Sequence, residues 1–445
     1  MRNETPVGNM IRLLALSLAI VLTTICEIDA RDIYVDPSRQ GLVGDGSSAN
    51  PWQSLGQALK DETLEPGDTI FLRSGDYGDV RIKNRRNEAA ITIAAEKGHV
   101  PRFANIRIIA SSNWHLRGLS VSPSYAPSSL RGSIIRIDKS SEDITVEDCK
   151  IMSFPDSSSW MAADWRALAP HGITAGGTRI TLRGNTLKNV DHGINVGASH
   201  SLVENNLVEN FSGDGMRGLG DYTTFRSNTV KNCYKVDGNH DDGFQSWSVG
   251  ADGRVGTGEV IGVVLSGNRF INNEDPDQPM RCTMQGIGLF DGTYVDWLIE
   301  NNVIVTDHWH GITVMGGRNV RIVNNTLIDA TPGKPGPPWI TITSHKLGHP
   351  SRDSFIVNNL APTFDPKNFR RGKYSYNRPG VTARNNIRIV DPAAYFKDPA
   401  NGDLRLKPGS RPVDAGTSRM APATDIEGNP RPRGKAVDVG AYELQ

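Results

Sequence analysis

The chain has 445 residues, and its 49 lysines and arginines balance 49 aspartates and glutamates. A formal net charge of zero excludes a global field that would attract nucleic acid or an anionic membrane, so recognition of a charged polymer has to be local. The length allows several domains, but the periodicity described below favours one elongated unit with caps.

The start of the chain has the pattern of an export signal. Arg2 and Arg12 precede an apolar run at residues 13–25 that is too short for a membrane span. Removal of residues 1–30 as a signal peptide would leave a secreted protein, periplasmic or extracellular, with no membrane attachment. A lipoprotein anchor at Cys26 is disfavoured because a bulky residue precedes that cysteine.

Residues 31–80 are predicted to form an N-terminal cap and the first rung of a repeat. Residues 32–35 and 69–72 predict short strands, and residues 52–60 carry apolar side chains at helical spacing. A stack of repeats exposes an open hydrophobic cross-section at its end, and a short amphipathic helix can cover it.

Two short sequence phrases alternate through the middle of the chain. The first is a polar residue, a glycine and an apolar residue, as in His171-Gly172-Ile173, His192-Gly193-Ile194, Asp214-Gly215-Met216, Asp242-Gly243-Phe244, Gln285-Gly286-Ile287 and His310-Gly311-Ile312. The second is an apolar strand that ends in Asn, as at Asn185, Asn206, Asn228, Asn268, Asn302 and Asn325. Repeats of roughly 20 to 25 residues indicate a solenoid, and short strands without helical periods favour an all-β parallel β-helix over a sandwich. We assign residues 81–390 to this solenoid and residues 391–445 to a C-terminal capping segment or tether.

The two phrases predict different roles for their polar residues. Asn tolerates left-handed backbone angles and its amide can bond to the next rung, so the Asn file is interpreted as structural. The residues before the glycines are histidine, aspartate and glutamine, which are poorly suited to a purely structural role in a stack. We interpret them as the lining of an active-site groove on the outside of the stack. Loops at residues 153–170, 249–259 and 273–283 would wall this groove.

Asp214 and Asp242 are expected to face outward on neighbouring rungs about 4.8 Å apart, beside Arg217 and Gln245. Two carboxylates that close repel, so one should have a raised pKa unless a cation lies between them. With Ca²⁺ bound, the pair would neutralise a uronate carboxylate; without metal, one acid and one base could serve hydrolysis. The alternative is that both only solvate the turn before glycine.

Cleavage of a uronate polymer by elimination needs a base, a cation for the carboxylate and an acid for the leaving oxygen. The candidate catalytic residues are Lys235, His192, His240, Arg217 and Asp242. The candidate substrate-binding residues are Asp214, Asp241, Gln245, Arg281, Gln285 and His310. A solvated turn lysine stays an equal interpretation of Lys235, and His115 and His171 are interpreted as surface histidines.

Tryptophans and cysteines add weaker signals. Trp160 and Trp165 could stack on sugar rings, whereas strand alternation predicts that Trp309 points into the core. Three cysteines remain after the leader, at Cys149, Cys233 and Cys282. Their odd number and separate rungs predict no disulfide framework and no zinc site.

The ends of the chain carry a family resemblance. The opening Tyr34-Val35-Asp36 and Pro66-Gly67-Asp68-Thr69-Ile70, the Asn-ended rungs and the closing Asp425-Ile426-Glu427-Gly428-Asn429 and Asp438-Val439-Gly440-Ala441-Tyr442-Glu443 resemble the secreted right-handed parallel β-helix proteins. That superfamily includes pectate, alginate and chondroitin lyases, mannuronan epimerases and pectin-type glycosidases. The chain matches neither the epimerase signature nor the Asn-Thr-Asp and Gly-His-Gly elements of polygalacturonases.

These observations lead to one main hypothesis and two rivals. The main one is a secreted, monomeric polysaccharide lyase that cleaves a uronic-acid polymer by β-elimination, with an alginate-like substrate implied by the resemblance. Its only expected cofactor is Ca²⁺ at Asp214 and Asp242, and its partner is an acidic polysaccharide. The rivals are a glycoside hydrolase that uses Asp214, Asp241 and Asp242, and a non-catalytic carbohydrate-binding solenoid.

Overall fold

The computed structural model describes residues 30–445 except 42–43, 61–62, 127–131, 276, 332, 334 and 365–377. All but the last residue of the proposed leader lies outside the described residues. No helix in the described part of the chain is long and apolar enough to cross a membrane.

A coil in the middle of the molecule contains three short strands, joined by tight turns or loops. In one coil, strand Leu202–Glu204 lies in a first sheet, and strands Leu207–Phe211 and Met216–Gly218 form two faces of a second sheet. Strand Thr224–Arg226 then returns to the first sheet, where it pairs in parallel with Leu202–Glu204. The chain therefore winds as a parallel β-helix, as the repeat predicted.

Among the described residues, the strands fall into three parallel sheets and one antiparallel pair. The first sheet contains Asp32–Val35, Thr69–Leu72, Arg86–Ala95, Ser112–Arg117, Glu142–Glu147, Thr178–Arg183, Leu202–Glu204, Thr224–Arg226, Val264–Ser266, Leu298–Glu300, Arg321–Val323, Ser354–Val357 and Val381–Arg384. The second contains Gly75–Lys83, Pro101–Ile109, Ser120–Val121, Ser133–Ile137, Lys150–Met152, His171–Ala175, Thr186–Val190, Ile194–Val196, Leu207–Phe211, Met216–Gly218, Thr229–Cys233, Asp242–Trp247, Arg269–Ile271, Gln285–Asp291, Val303–Thr306, His310–Met315, Thr326–Asp329, Trp339–Thr343, Leu360–Ala361 and Ile387–Arg388. The third contains Glu259–Ile261, Thr293–Val295 and Gly317–Arg318, and the antiparallel pair is Phe396–Asp398 with Asp403–Leu406. The helices are Leu55–Ala58 and Ala162–Leu168, with 3₁₀ turns at Pro123–Tyr125, Pro392–Ala394 and Pro399–Asn401.

The core is built from apolar side chains that stack in register from coil to coil. Ile194, Met216, Phe244 and Ile287 pair in sequence along the second sheet, and all four are fully buried. Because parallel strands place equivalent residues next to each other, the repeated apolar position becomes a continuous column inside the stack.

Asparagines form a second, polar column at the turn between the first and second sheets. Asn205 takes a left-handed backbone angle (φ 56°), and the side chain of the next residue, Asn206, points inward. Asn206 Oδ1 accepts from the backbone N–H and the amide of Asn185, and its own amide donates to Asn228 Oδ1 and to the carbonyl of Leu182. The same pattern continues through Asn268, Asn302, Asn325, Asn359 and Asn386. The structural interpretation of this file is confirmed.

Neighbouring residues of one turn provide a matched stability test of this column. We expect Asn206→Ala to lower the free energy of unfolding by about 2–4 kcal/mol, because it leaves several buried polar groups without partners. Asn205→Gly should change it by less than about 1 kcal/mol, since glycine adopts the left-handed angle freely. Urea denaturation followed by circular dichroism measures both, and equal midpoints for the two variants would contradict the structural role.

Both ends of the solenoid differ from the prediction in detail. The helix expected at residues 52–60 is a single turn, Leu55–Ala58, which is fixed by a capping box between Ser54 and Gln57. At the other end, the tail runs back along the side of the stack instead of only closing its last coil. Asn301 donates to the carbonyl of Thr424, and Asn324 donates to that of Asp438.

The prediction that the cysteines form no disulfide is wrong. Cys233 and Cys282 are joined, with their Cα atoms 5.5 Å apart, while Cys149 is free and buried. Spacing along the sequence concealed this pair because Cys282 lies in a loop that folds back onto the preceding coil, where Lys235 N–H donates to the carbonyl of Met280 at 2.6 Å.

Candidate functional site

The strand register brings the residues that precede the repeated glycines onto one line. Met216 pairs with Phe244, and Asp242 pairs with Gln285. The backbone N–H of Asp242 donates to Asp214 Oδ1 at 3.0 Å, so these two residues are in contact across adjacent coils. The complete file is His171, His192, Asp214, Asp242, Gln285 and His310.

The glycines of this file stand where the chain turns between the two faces of the second sheet. A Cβ at Gly215 would collide with the side chain of Val230, and one at Gly193 would collide with the carbonyl oxygen of Gly215. Glycine is therefore required for one coil to pack on the next at this corner. The polar residue in front of each glycine is carried to the edge of a shared outer face.

That outer face is the floor of a groove. Its residues follow each glycine by two positions, and the register pairs Thr174 with Asn195, Asn195 with Arg217, and Arg217 with Gln245. The loop at residues 153–170 precedes the strand His171–Ala175, and the loop at residues 249–259 follows the strand Asp242–Trp247, so the two loops leave the floor at opposite edges.

Asp214 and Asp242 lie beneath this floor and are not exposed on it. Their exposed fractions are 1% and 0%. Arg217 Nε donates to Asp214 Oδ2, and the Arg217 guanidinium lies 5.2 Å from the centroid of the Trp247 ring. Gln245 Nε2 donates to Asp242 Oδ2 at 3.0 Å. The expectation of outward-facing carboxylates is corrected because the layer of Arg217, Gln245 and Trp247 covers them.

Trp247 was not among the predicted site residues. It lies two positions after Gln245 in the strand Asp242–Trp247, and residues two apart in a strand share a face. Strand alternation could have identified it.

Three aspartates at this place have raised pKa values. Burial raises the pKa of Asp242 well above its ordinary value, and the charges of Asp214 and Asp241 raise it further. Burial also raises the pKa of Asp214, although Arg217 opposes this. Burial raises the pKa of Asp241 to about 7 against the opposing effect of Lys235. Asp241 therefore exchanges a proton near neutral pH, and burial favours the protonated form of Asp242 more than in an ordinary aspartate.

Residues 234–241, here called the rim loop, carry the exposed side chains of Lys235, Asp237 and His240. Lys235 Nζ donates to Asp241 Oδ2 at 3.1 Å and to the carbonyl of Asn239. His240 is exposed and lies close enough to His308 to lower the pKa of that imidazole electrostatically. The rim loop thus presents an ammonium beside Asp241 and an imidazole near His308.

The rim loop is held in place from two sides. On one side, Trp165 stacks on Tyr234 with ring centroids 4.6 Å apart, and Arg166 donates to the carbonyl of Val236. On the other side, the disulfide joins the residue before the loop, Cys233, to residue 282. These contacts fix the positions of Lys235 and His240.

The tryptophans differ from their predicted roles. Trp165 is fully buried and anchors its loop, so it cannot stack on a sugar, and Trp160 packs edge-on against it at 5.2 Å. Trp309, expected in the core, is 41% exposed and stacks on Trp339 at 6.3 Å. The prediction for Trp309 is wrong because the strand begins only at His310, so alternation does not extend to the preceding residue.

The hydrogen bonds of His192 decide where its proton lies. The backbone N–H of Asp214 donates to His192 Nδ1 at 2.6 Å, and burial lowers the pKa of this histidine to about 4. The neutral ring therefore carries its proton on Nε2 and has no free nitrogen to accept another. This arrangement makes His192 a support for Asp214 and argues against a role as base.

Two further histidines lie at the far end of the file. Burial lowers the pKa of His308 to about 4 and that of His310 to about 3. His308 Nδ1 accepts from the backbone N–H of His310 at 3.0 Å, and His310 Nδ1 lies 2.9 Å from Thr313 Oγ1. Both rings are therefore neutral hydrogen-bonding groups at the side of the groove.

The Arg281 guanidinium does not pair with Asp214, Asp241 or Asp242 in the described residues. It binds the carboxylate of Asp307 and Thr331 Oγ1, the latter at 2.9 Å. Gln285 lies beside Asp242 as predicted, and its Oε1 is buried without a hydrogen-bond partner in the described part of the chain.

Two groups of described residues bring three potential metal ligands within 4.8 Å of one another. One is Cys233, Asp241 and Cys282, where the sulfur atoms are already bonded together. The other is His171, Asp191 and His192, but the protonated Nε2 of His192 faces the carboxylate and cannot also bind a metal. Neither group fits a metal ion.

Asp214 and Asp242 are oxygen donors of the type that Ca²⁺ prefers. Arg217 and Lys235 already compensate Asp214 and Asp241, however, and the three aspartates do not converge within the same 4.8 Å limit in the described residues. In this conformation the carboxylates do not fit a Ca²⁺ site, and two side-chain cations take the place predicted for the metal.

Comparison with known proteins identifies the architecture. Residues 171–336 match the family described as right handed beta helix region. A pectate lyase, Pel9A, shares 14% identity with a TM-score of 0.51 over 94% of this chain and 98% of that one. A rhamnogalacturonan lyase (13%, TM-score 0.45, 83% and 91% covered) and the A-module of a mannuronan C-5 epimerase of Azotobacter vinelandii (14%, TM-score 0.46, 73% and 91% covered) are also similar. No curated protein is detectably similar in sequence. The chain folds as a right-handed parallel β-helix.

Proposed function

We propose that the protein is a polysaccharide lyase that cleaves a uronic-acid-containing polymer by β-elimination. One observation carries the proposal. An arginine on the groove floor binds Asp214, which contacts Asp242, and Asp242 directly follows a rim loop that presents an ammonium and an imidazole; these three groups supply the elements of the reaction. The shared fold with a pectate lyase makes acidic polysaccharides the first substrates to test.

Arg217 is suited to bind the uronate carboxylate. Its Nε is used by Asp214, whereas the structure shows no hydrogen bond from either terminal nitrogen to the described residues. The two terminal nitrogens of a guanidinium can donate two parallel hydrogen bonds to the two oxygens of a carboxylate. The bound guanidinium would stabilise the negative charge that spreads onto the carboxylate when the C5 proton leaves.

Lys235 and His240 would carry out the two proton transfers of the reaction. Lys235 donates to Asp241 and to a carbonyl group, and an ammonium has no lone pair to act as a base. His240 is exposed, and a neutral imidazole has one ring nitrogen with a lone pair that can accept a proton. In this assignment His240 removes the C5 proton, the electrons of the C5–H bond form the C4–C5 double bond, and Lys235 protonates the leaving oxygen as the C4–O bond breaks.

The buried aspartates support a second candidate, a glycoside hydrolase. Asp241 exchanges its proton close to neutral pH, and the pKa of its neighbour Asp242 is raised well above the ordinary value, so two adjacent carboxyl groups are available for acid and base roles. The nearly complete burial of both side chains disfavours their direct contact with a sugar. We therefore rank hydrolysis second.

A product assay separates the candidates. The protein is incubated with alginate, pectate and glycosaminoglycans, with and without a chelator. A lyase raises the ultraviolet absorbance of unsaturated chain ends, whereas a hydrolase raises reducing sugar alone. We expect unsaturated ends, with alginate-like polymers as the preferred substrate. Because Arg217 would neutralise the uronate carboxylate in place of the predicted Ca²⁺, we expect the chelator to leave the rate of cleavage unchanged.

The pH dependence should report on Asp241. Its pKa is raised from 3.8 to about 7, so kcat/KM should rise through pH 7 as the carboxylate ionises and holds Lys235 in place. Asp241→Asn should abolish this rise of kcat/KM through pH 7. The free energy of unfolding should change in the opposite direction with pH. A raised pKa of Asp241 stabilises the folded state at low pH, and this stabilisation is lost as the pH rises from 3.8 to about 7. The thermal midpoint should therefore fall less over this interval in Asp241→Asn than in the wild type.

We also propose that the protein is secreted. A disulfide between Cys233 and Cys282 is typical of proteins from oxidising compartments, which supports export. Fractionation of the native host followed by blotting of periplasm, medium and cytosol tests this directly.

A further inference from the structure

Three arginines stand in one line on the groove face, several coils before Arg217. Arg81 pairs with Arg107, and Arg107 pairs with Arg136, on adjacent strands of the second sheet. Arg136 pairs in turn with Thr174, which begins the groove floor already described. The three side chains, here called the arginine strip, belong to the same outward file as Arg217.

The strip lacks the charge compensation found elsewhere on the molecule. No ion pair joins Arg81, Arg107 or Arg136 to an acidic residue in the described part of the chain. Burial lowers the pKa of Arg107, and the neighbouring charges of Arg136 and Arg81 lower it further, although the charge of Asp79 opposes them. Like charges directly opposite each other on neighbouring strands are destabilising. The fold alone therefore gives no reason to keep three arginines in register.

Two acidic residues near the strip are engaged with other groups. Asp79 accepts from the amide of Asn105. Asp138 accepts from the backbone N–H of Ala110 at 3.0 Å and from Ser141 Oγ at 2.8 Å, which fixes a turn. Arg81 and Arg136 are exposed, and Arg107 is half-buried with one nitrogen donating to the carbonyl of Ser133 at 2.6 Å. Cationic nitrogens thus face the solvent along the line.

The strip is continuous with the proposed active site. The register runs from Arg136 through Thr174 and Asn195 to Arg217, three steps of about 4.8 Å or about 14 Å in total. An open cleft lined by Arg136, Thr174 and Asn195 occupies this interval. One coil advances the chain by close to the length of one sugar unit, so successive arginines can meet successive units of an extended polysaccharide.

We propose that the arginine strip binds the carboxylates of a polyuronate chain on the side of the groove before the reacting sugar, which Arg217 holds. This inference rests on the proposed function, because it assigns the strip to the same polymer. The net charge of the whole chain is zero, so the strip acts locally and selects a polymer that lies along the groove.

The test compares two triple variants that remove the same charge. Arg81→Gln, Arg107→Gln and Arg136→Gln are combined in one variant. The matched control combines Arg117→Gln, Arg321→Gln and Arg384→Gln, three exposed arginines of the first sheet, which forms another side of the molecule. Binding is measured by electrophoresis in gels that contain polyuronate, a neutral polysaccharide or DNA, and KM is measured for long polymer and for trimer. Thermal midpoints confirm that both variants fold.

We expect the strip variant to bind long polyuronate about tenfold more weakly, as the loss of three solvent-accessible Arg–carboxylate pairs would predict, and to lose most of its salt dependence. KM for the trimer and binding of neutral polymer should not change, and the control variant should match the wild type. Equal losses in both variants, or a strip variant that loses DNA binding but keeps polyuronate binding, would overturn the proposal.

The outcomes for the strip and for the lyase activity are distinguishable. Polyuronate binding that depends on the strip, without the formation of unsaturated ends, would support the strip and refute the lyase. Cleavage with an unchanged KM for long polymer in the strip variant would support the lyase and refute the strip.

Discussion

Replacing Lys235 with methionine is expected to lower kcat by about a thousandfold, within the range known for loss of a general acid or base. The ammonium of Lys235 is the exposed proton donor of the rim loop, and Asp241 holds it at 3.1 Å. Methionine keeps most of the side-chain volume, so the thermal midpoint should change little. The measurement is the initial rate of unsaturated product at saturating polyuronate.

Two controls separate proton transfer from charge. Lys235→Arg keeps the positive charge but cannot give up a proton at neutral pH, so kcat should stay low while KM stays close to the wild-type value. Lys231→Met removes a lysine of the adjacent strand that pairs with Glu274 at 2.8 Å, and it should have full activity. A Lys235→Met variant with more than a tenth of the wild-type kcat would contradict the assignment.

The architecture could be predicted because the repeat encodes the register. Each glycine stands where a side chain would collide with the next coil, and each inward Asn bonds to the equivalent Asn of its neighbour. Both constraints recur once per coil and are visible in a single sequence. The contact between Asp214 and Asp242 follows directly from that register.

The surroundings of the site could not be predicted in the same way. The spacing placed Asp242 on the outer face but gave no sign that its carboxylate is buried and hydrogen-bonded to Gln245. The tautomer of His192 depends on a backbone N–H of the next coil, which no side-chain pattern reveals. The position of the rim loop is set by the loop at residues 153–170 and by the segment that contains Cys282, both of which lie outside the repeat. The spacing of the repeat could not predict that these segments fold back onto the rim loop.

The arginine strip lies where the sequence phrases are weakest. Before residue 148 the glycine phrase is missing, so the coils that carry Arg81, Arg107 and Arg136 had no register by which to align them. Only strand pairing in the structure shows that these side chains share a file with Arg217.

Removal of the disulfide in a Cys233→Ser, Cys282→Ser variant is expected to lower the free energy of unfolding by about 4 kcal/mol, the loop-entropy value for a separation of 49 residues. The wild type should shift to the same midpoint when a reductant is added, and the variant should not respond to reductant. Calorimetry in the two redox states measures this. A wild type with one midpoint in both states would show that the bond contributes nothing.

The same variant should also lose activity at temperatures where it remains folded. Cys233 immediately precedes the rim loop, and Cys282 belongs to the segment on which Lys235 makes its backbone hydrogen bond. Release of that segment gives Lys235 and His240 more positions, so kcat should fall about tenfold or more, as small displacements of catalytic groups cost rate. KM should change little, because Arg217 and the arginine strip stand on strands that the disulfide does not hold. Cys149→Ala, which alters a buried free thiol in another coil, is the matched control and should keep the wild-type kcat.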